Sequence, residues 1–115
     1  MLFSYSSFGN WILVDTQKNG DQSYYDNINI RKDNGYIYFW RLVSIKTPTK
    51  EGIQSGAFYR QGDCSIFRLK NLFFVGYSGP VATGEILLRE KENKDWEYPQ
   101  PKSVDDNIMK IICSK

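Results

Sequence analysis

The side chains that could do chemistry are few. Two cysteines, Cys64 and Cys113, stand 49 positions apart, and the chain has no histidine. Two thiolates without imidazole do not complete a four-ligand zinc site unless carboxylates or a second chain join them. Their separation rules out a CxxC redox motif. A disulfide or two buried thiols are the readings left open by the residues themselves. Asp63 beside Cys64 and the pair Asp105-Asp106 are the only other groups that invite a catalytic reading. Asp63 fits the entry to a strand, and Asp105 and Asp106 fit the first turn of a helix, where the dipole favours acids. No nucleophile lies near a base, so the sequence points away from an enzyme and names no cofactor and no metal.

The element that must position Cys64 is the stretch Phe58 to Gly84. After Asp63, Phe67, Leu69, Phe73, Val75 and Tyr77 share one parity, while Arg68, Lys70, Leu72 and Phe74 share the other. Period-two alternation predicts a strand, and where both parities turn apolar it suits either a central strand or a bulge near Asn71. Tyr77-Ser78-Gly79-Pro80 up to Gly84 is turn punctuation, with Gly79 free to take positive φ. No Lys-Ser/Thr follows, so it is not a phosphate loop.

The element that must position Cys113 is the one good helix. Ser103 is its N-cap, Pro101 precedes it, and Val104, Ile108, Ile111 and Ile112 form one apolar face. Cys64 shares parity with Ile66, Leu72 and Phe74. For the helix to reach it, either the strand begins after Cys64, or the helix covers the Ile66–Leu72–Phe74 parity. The second is preferred because Leu72 and Phe74 need cover, which would leave Arg68 and Lys70 at the helix margin.

Further strands are expected at 11–15, at 24–32, at 36–45, from 57 and at 85–90, with turns at Asn19-Gly20 and Asp33-Asn34-Gly35. Tyr36 to Ile45 is apolar on both parities and should be central, with Trp40 buried. Lys46–Gly56 reads as a polar loop, and Lys91–Pro101 as a crossing loop pinned by Trp96 and Tyr98. The fold class is α+β: an antiparallel sheet of about six strands with a C-terminal helix packed on it. Residues 1–10 are expected to be loosely ordered, and 11–115 to form one domain.

Charge and composition exclude several function classes. Fifteen basic and 13 acidic residues are interspersed and give a net charge of +2. Nucleic-acid binders gather their basic charge on one face, so no nucleic acid is expected. No apolar run reaches the ~18 residues of a membrane span, and the first residues show no signal peptide. Aromatics make up 16% of the chain. Tyr24, Tyr25, Tyr36, Tyr38, Phe39 and Trp40 exceed what one sheet face needs, which fits either a partner surface or a sheet buried on both faces within the monomer, one under the helix and one under the loops.

The ordered set of residues resembles the surface-adhesin protein E family, from Trp11 to Cys113. It comprises Trp11; Tyr25-Asp26 with Ile30; Tyr38-Phe39-Trp40; Asp63-Cys64; Arg68; Tyr77-Ser78-Gly79-Pro80 with Gly84-Glu85; Trp96, Pro101 and Ser103; and Cys113. The resemblance implies an exported, roughly six-stranded sheet with a C-terminal helix and a Cys64–Cys113 disulfide joining them. It implies a secreted, periplasmic or cell-surface location; the family takes its name from a bacterial outer-surface protein that binds host matrix proteins.

The resulting expectation is an envelope-associated binding module acting by protein–protein contact, with homodimerisation as one form of it. Tyr36, Tyr38, Trp40, Tyr77, Ser78, Gly79 and Pro80 are the candidate binding residues. The alternative is a carrier or sensor of a small apolar ligand held between the sheet and its covering elements.

Overall fold

The structure is a computed structural model that describes residues 9–92 and 94–115. The expected loose segment 1–10 lies, except for its last two residues, outside the described residues. The strands are β1 (Trp11–Thr16), β2 (Gln22–Asp26), β3 (Arg31–Asp33), β4 (Tyr36–Ser44), β5 (Ser55–Asp63), β6 (Arg68–Tyr77) and β7 (Ile86–Lys91), followed by helix α1 (Val104–Cys113). They form one antiparallel sheet in the order β1-β2-β4-β5-β6-β7, with β3 also paired to β4.

The strand expected at 24–32 is two strands. The Asp26 side chain is fully buried. Its carboxylate accepts from the backbone N–H groups of Asn10 (3.2 Å), Ile28 (2.9 Å) and Asn29 (3.2 Å), and from Asn29 Nδ2 (2.7 Å). Such local capture by aspartate competes with strand pairing and bends the chain. β2 and β3 therefore lie end to end along β4. β3 returns through Asn34 (φ 52°) and Gly35 (φ 83°), the left-handed pair that a two-residue hairpin requires.

β4 alternates strictly between the two faces. Ile37 and Phe39 are buried against α1 with Tyr25, Leu69, Ile108, Met109 and Ile112. Leu42 lies on the other face with Ala57, Val75, Tyr77 and Ala82. The strand is central, as its pattern predicted, but Trp40 is half-buried rather than buried because the second face is only partly covered. Phe39 and Tyr25 are core residues and leave the expected aromatic surplus.

β6 settles how the helix reaches Cys64. β5 ends at Asp63, Cys64–Phe67 is a turn closed by Phe67 N–H donating to Asp63 O (2.7 Å), and β6 starts at Arg68. The strand thus begins after Cys64, and the preferred alternative is wrong: α1 covers Leu69, not Ile66, which is exposed. A bulge supplies the reason. Tyr59 pairs with Phe73 and Arg60 with Asn71, so Leu72 is an extra residue and the parity flips there. Leu69 faces the helix before the bulge, while Phe73, Val75 and Tyr77 face away after it.

Ser103 Oγ accepts from Asp106 N–H (3.1 Å) and Asp106 Oδ2 accepts from Lys102 N–H (2.9 Å), a reciprocal cap at the start of α1. Its far end is tied to the sheet by the Cys64–Cys113 disulfide, with Cα atoms 5.7 Å apart.

Candidate binding face

The face opposite the helix has two halves. Over Leu42, Ala57, Val75 and Tyr77 the Ser78–Gly84 loop folds back as a lid. Ser55 Oγ donates to Gly79 O (2.7 Å) and accepts from Ala82 N–H (2.9 Å), and Ser44 Oγ accepts from Val81 N–H (3.1 Å). Val81 (φ 50°), Ala82 (φ 56°) and Gly84 (φ 80°) take the left-handed conformations, whereas Gly79, expected to do so, does not. Two of these lack glycine's freedom, so the lid bears local strain that its buried Ala82 and serine contacts offset.

The other half is open. Its centre is a row of half-buried rings contributed by β4 and β5. Trp40 and Tyr59 lie 4.9 Å apart at centroids and tilted by 44°, and Tyr38 and Tyr59 lie 6.2 Å apart with planes 23° from parallel. Register explains the row: Trp40 pairs with Tyr59, Tyr59 with Phe73, and Tyr38 with Gln61. At one end Trp96, brought in by the Glu97–Leu69 backbone bridge, leans on Tyr36 at 5.9 Å.

Cations lie on these rings. Arg31 Cζ is 4.3 Å from the centroid of Tyr38, Arg68 Cζ is 4.1 Å from Trp96, and Lys70 Nζ is 4.9 Å from Trp96. Arg68 and Lys70 are therefore not at the helix margin, as expected, but on the opposite face, because the bulge reverses parity only beyond them. Arg68 is held by Asp63 (3.1 Å). The Asp63 carboxyl sits below its ordinary value, chiefly through the Ser65 hydroxyl and then Arg68.

The seven candidate residues thus separate. Tyr36, Tyr38 and Trp40 stand together on the open half, whereas Tyr77 is buried beneath the lid, Ser78 and Gly79 form its stem and Pro80 its exposed tip. Burial pushes the Tyr77 phenol above its ordinary range. Tyr59, Phe73 and Arg31 join the face although nothing in their own neighbourhoods singled them out. The signal that finds them is cross-strand register.

A family model described as surface-adhesin protein E matches residues 11–114. The chain belongs to the surface-adhesin protein E family. Its fold is similar to that of Haemophilus influenzae protein E, at 20% identity over 98% of this chain and 91% of that one, with a TM-score of 0.70. A second crystal form of H. influenzae protein E matches at 21% identity over 80% of each chain, with a TM-score of 0.65. Protein E from non-typeable H. influenzae matches at 19% identity over 91% of this chain and 84% of that one, with a TM-score of 0.63. No curated protein sequence matches the chain.

In this protein E family member a second polar cluster lies on the helix side. Arg41 and Arg60 both donate to Asp105 Oδ1, at 2.9 Å and 2.6 Å. Arg60 Nε donates to Asn71 Oδ1 (2.8 Å) and Arg41 Nη2 to Ser23 Oγ (3.1 Å), while Arg41 Nε has no partner. Burial, with Arg60 alongside, depresses the Arg41 guanidinium, and Asp105 opposes the shift. Asp105, expected only to meet the helix dipole, is the anchor that fastens α1 to two strands. The cluster ties α1 to β4 and β5 through one shared carboxylate oxygen. Among the described residues, no group of histidine, cysteine and carboxylate ligands stands together to hold a metal.

Proposed function

We propose that the chain is an exported, envelope-associated binding module whose open aromatic face contacts a protein partner, with adhesion to host matrix proteins as its role. The observation that carries this reading is the open half itself. Tyr36, Tyr38, Trp40 and Tyr59 remain half-buried on a central part of the sheet, where a monomer without a partner would gain by covering them. Family membership supports the surface role. The disulfide suits an oxidising compartment, which is the secreted, periplasmic or cell-surface setting. Among the described residues no helix is long and apolar enough to cross a membrane.

The reading is non-catalytic, and the seven candidates enter it unequally. Tyr36, Tyr38 and Trp40 make the contact, and the Tyr77–Pro80 segment borders it. A second copy of the chain is one partner the same face would take. A carrier of a small apolar ligand is disfavoured, because Phe39, Leu69, Ile108, Met109 and Ile112 fill the space between sheet and helix.

The test is binding to immobilised purified matrix proteins, with sedimentation at micromolar concentration for self-association. Trp40→Ala should weaken contact by at least about tenfold, the effect of a modest interface hot spot. Lys110→Ala, on the exposed side of α1, should leave it unchanged. Equal binding by both variants and the parent would overturn the assignment to this face.

A further inference from the structure

The open face is bracketed by charge. Register sets Arg31, Tyr38, Gln61 and Lys70 in one line across β3 to β6, and Trp40, Tyr59, Phe73 and Lys91 in the next. With neighbouring strands about 4.8 Å apart, the backbone positions of Arg31 and Lys70 at the two ends of the first line lie about 14 Å apart, with a ring and a carboxamide between them. Arg68 lies beside Trp96, and Arg89 pairs across from Val75 on the same face. On this face of β3, β5, β6 and β7, Arg31, Arg68, Lys70, Arg89 and Lys91 stand with Asp33 and Asp63, while Glu90 of β7 pairs with Phe74 on the other face. Arg31 engages Asp33 and Arg68 engages Asp63. Among the described residues Lys70, Arg89 and Lys91 make no ion pair.

The chemistry offered is also distinctive. An extended peptide is recognised most readily at a sheet edge, where backbone groups are free. Here β4 and β5 are paired on both sides, so the surface presents side chains only: flat rings, phenol hydroxyls, the Gln61 amide and a cationic border. A sugar ring has apolar C–H faces and a polar rim. It matches a ring beneath it and hydrogen-bonding groups beside it, and sulfate groups on its rim match guanidinium and ammonium.

We propose that the open half of this face binds a sulfated polysaccharide, the class represented by heparin. Its sugar rings lie over Trp40 and Tyr59, and its sulfates reach Arg31, seated on the Tyr38 ring, on one side and Lys70 and Lys91 on the other. This goes beyond the protein-contact reading, although it uses the same face.

Calorimetric titration of the full chain with a heparin oligosaccharide, neutral dextran and poly-L-glutamate tests it. Heparin should bind, with affinity falling as salt rises, and the other two polymers should bind at least tenfold more weakly. The double variant Arg31→Glu/Lys91→Glu alters two exposed positions, so it should fold as the parent does. It should lose at least tenfold in heparin affinity and lower the logarithmic salt slope by roughly 0.7–0.9 per cation removed. Tyr38→Ala should also weaken heparin binding. Absence of heparin binding, undiminished binding by the double variant or by Tyr38→Ala, or equal binding of poly-L-glutamate would each overturn the proposal. The last result would point to an acidic protein surface instead. Loss of the heparin result with matrix-protein contact retained would leave the protein-contact reading intact.

Discussion

The two faces of one sheet have been closed by different means. The helix side is sealed by a continuous apolar face, a disulfide at one end of α1 and the Arg41–Asp105–Arg60 cluster at the other. The opposite side is closed over half its area by a loop hung on two serine hydroxyls. Each large side chain fully buried on the helix side contributes roughly 1.5–3 kcal/mol. The open half gives up much of that for its half-buried rings. Stability has been concentrated on one face, which leaves the other free to carry aromatic and cationic side chains that a sealed sheet would not expose.

The sharpest way to test that division is to remove the disulfide. Cys64→Ala/Cys113→Ala should cost about 4 kcal/mol in urea unfolding, the chain-entropy value for a loop of 49 residues. A loss below about 1 kcal/mol would mean that packing alone holds the helix. A smaller effect separates the faces directly. Ile108→Ala, at a fully buried position, should cost about 3 kcal/mol. Tyr38→Ala should cost less than about 1 kcal/mol, as at a partly exposed site outside the main core. Similar costs would erase the contrast.

The smallest expected effect is in acid. The carboxyls of Asp63 and Asp106 are depressed below their ordinary 3.8, Asp63 chiefly by Ser65 and Asp106 chiefly by the Lys102 backbone N–H and then by Lys110. Groups depressed in the folded state contribute stability that is complete above the unfolded value and is lost as pH falls through the folded one. Thermal unfolding should therefore show no dependence on these acids at pH 5–8 and a decline below about pH 4. Asp106→Asn should lower the plateau and flatten that decline; an unchanged acid slope would remove Asp106 from this role.

Much of the fold was legible because it rests on local rules. The Asn34-Gly35 turn, the Ser103 cap, the apolar face of α1 and the central place of Tyr36–Ser44 each follow from a few adjacent residues. What was not legible depended on distant partners. Asp26 divides a strand whose alternation runs on past it, because its carboxylate captures Ile28 and Asn29 and is fixed in place by the Asn10 N–H from farther back in the chain. The bulge at Leu72 lies beside Asn71, where the pattern allows either a bulge or a central strand; only the pairing with β5 decides between them, and that one step misplaces the helix, Arg68 and Lys70. The site shows the same limit. Tyr36, Tyr38 and Trp40 were visible as an aromatic run, whereas Tyr59 and Phe73 join them only through pairing. Tyr77 looked available because nothing in Tyr77–Gly84 indicates that the loop folds back over it.

The strand order has a kinetic consequence. Apart from the short β3 excursion, each strand pairs with the next along the chain, so the sheet can grow hairpin by hairpin with little loop-closure entropy at any step. The helix is the exception, since it must return to β1 and β4 near the start of the chain. Among the described residues the return of the helix is thus the longest-range closure, and the strand-to-strand steps of the meander are the most local. Until that return, Ile37, Phe39 and Leu69 stand uncovered on the face opposite the aromatic row, and the sheet is open on both sides.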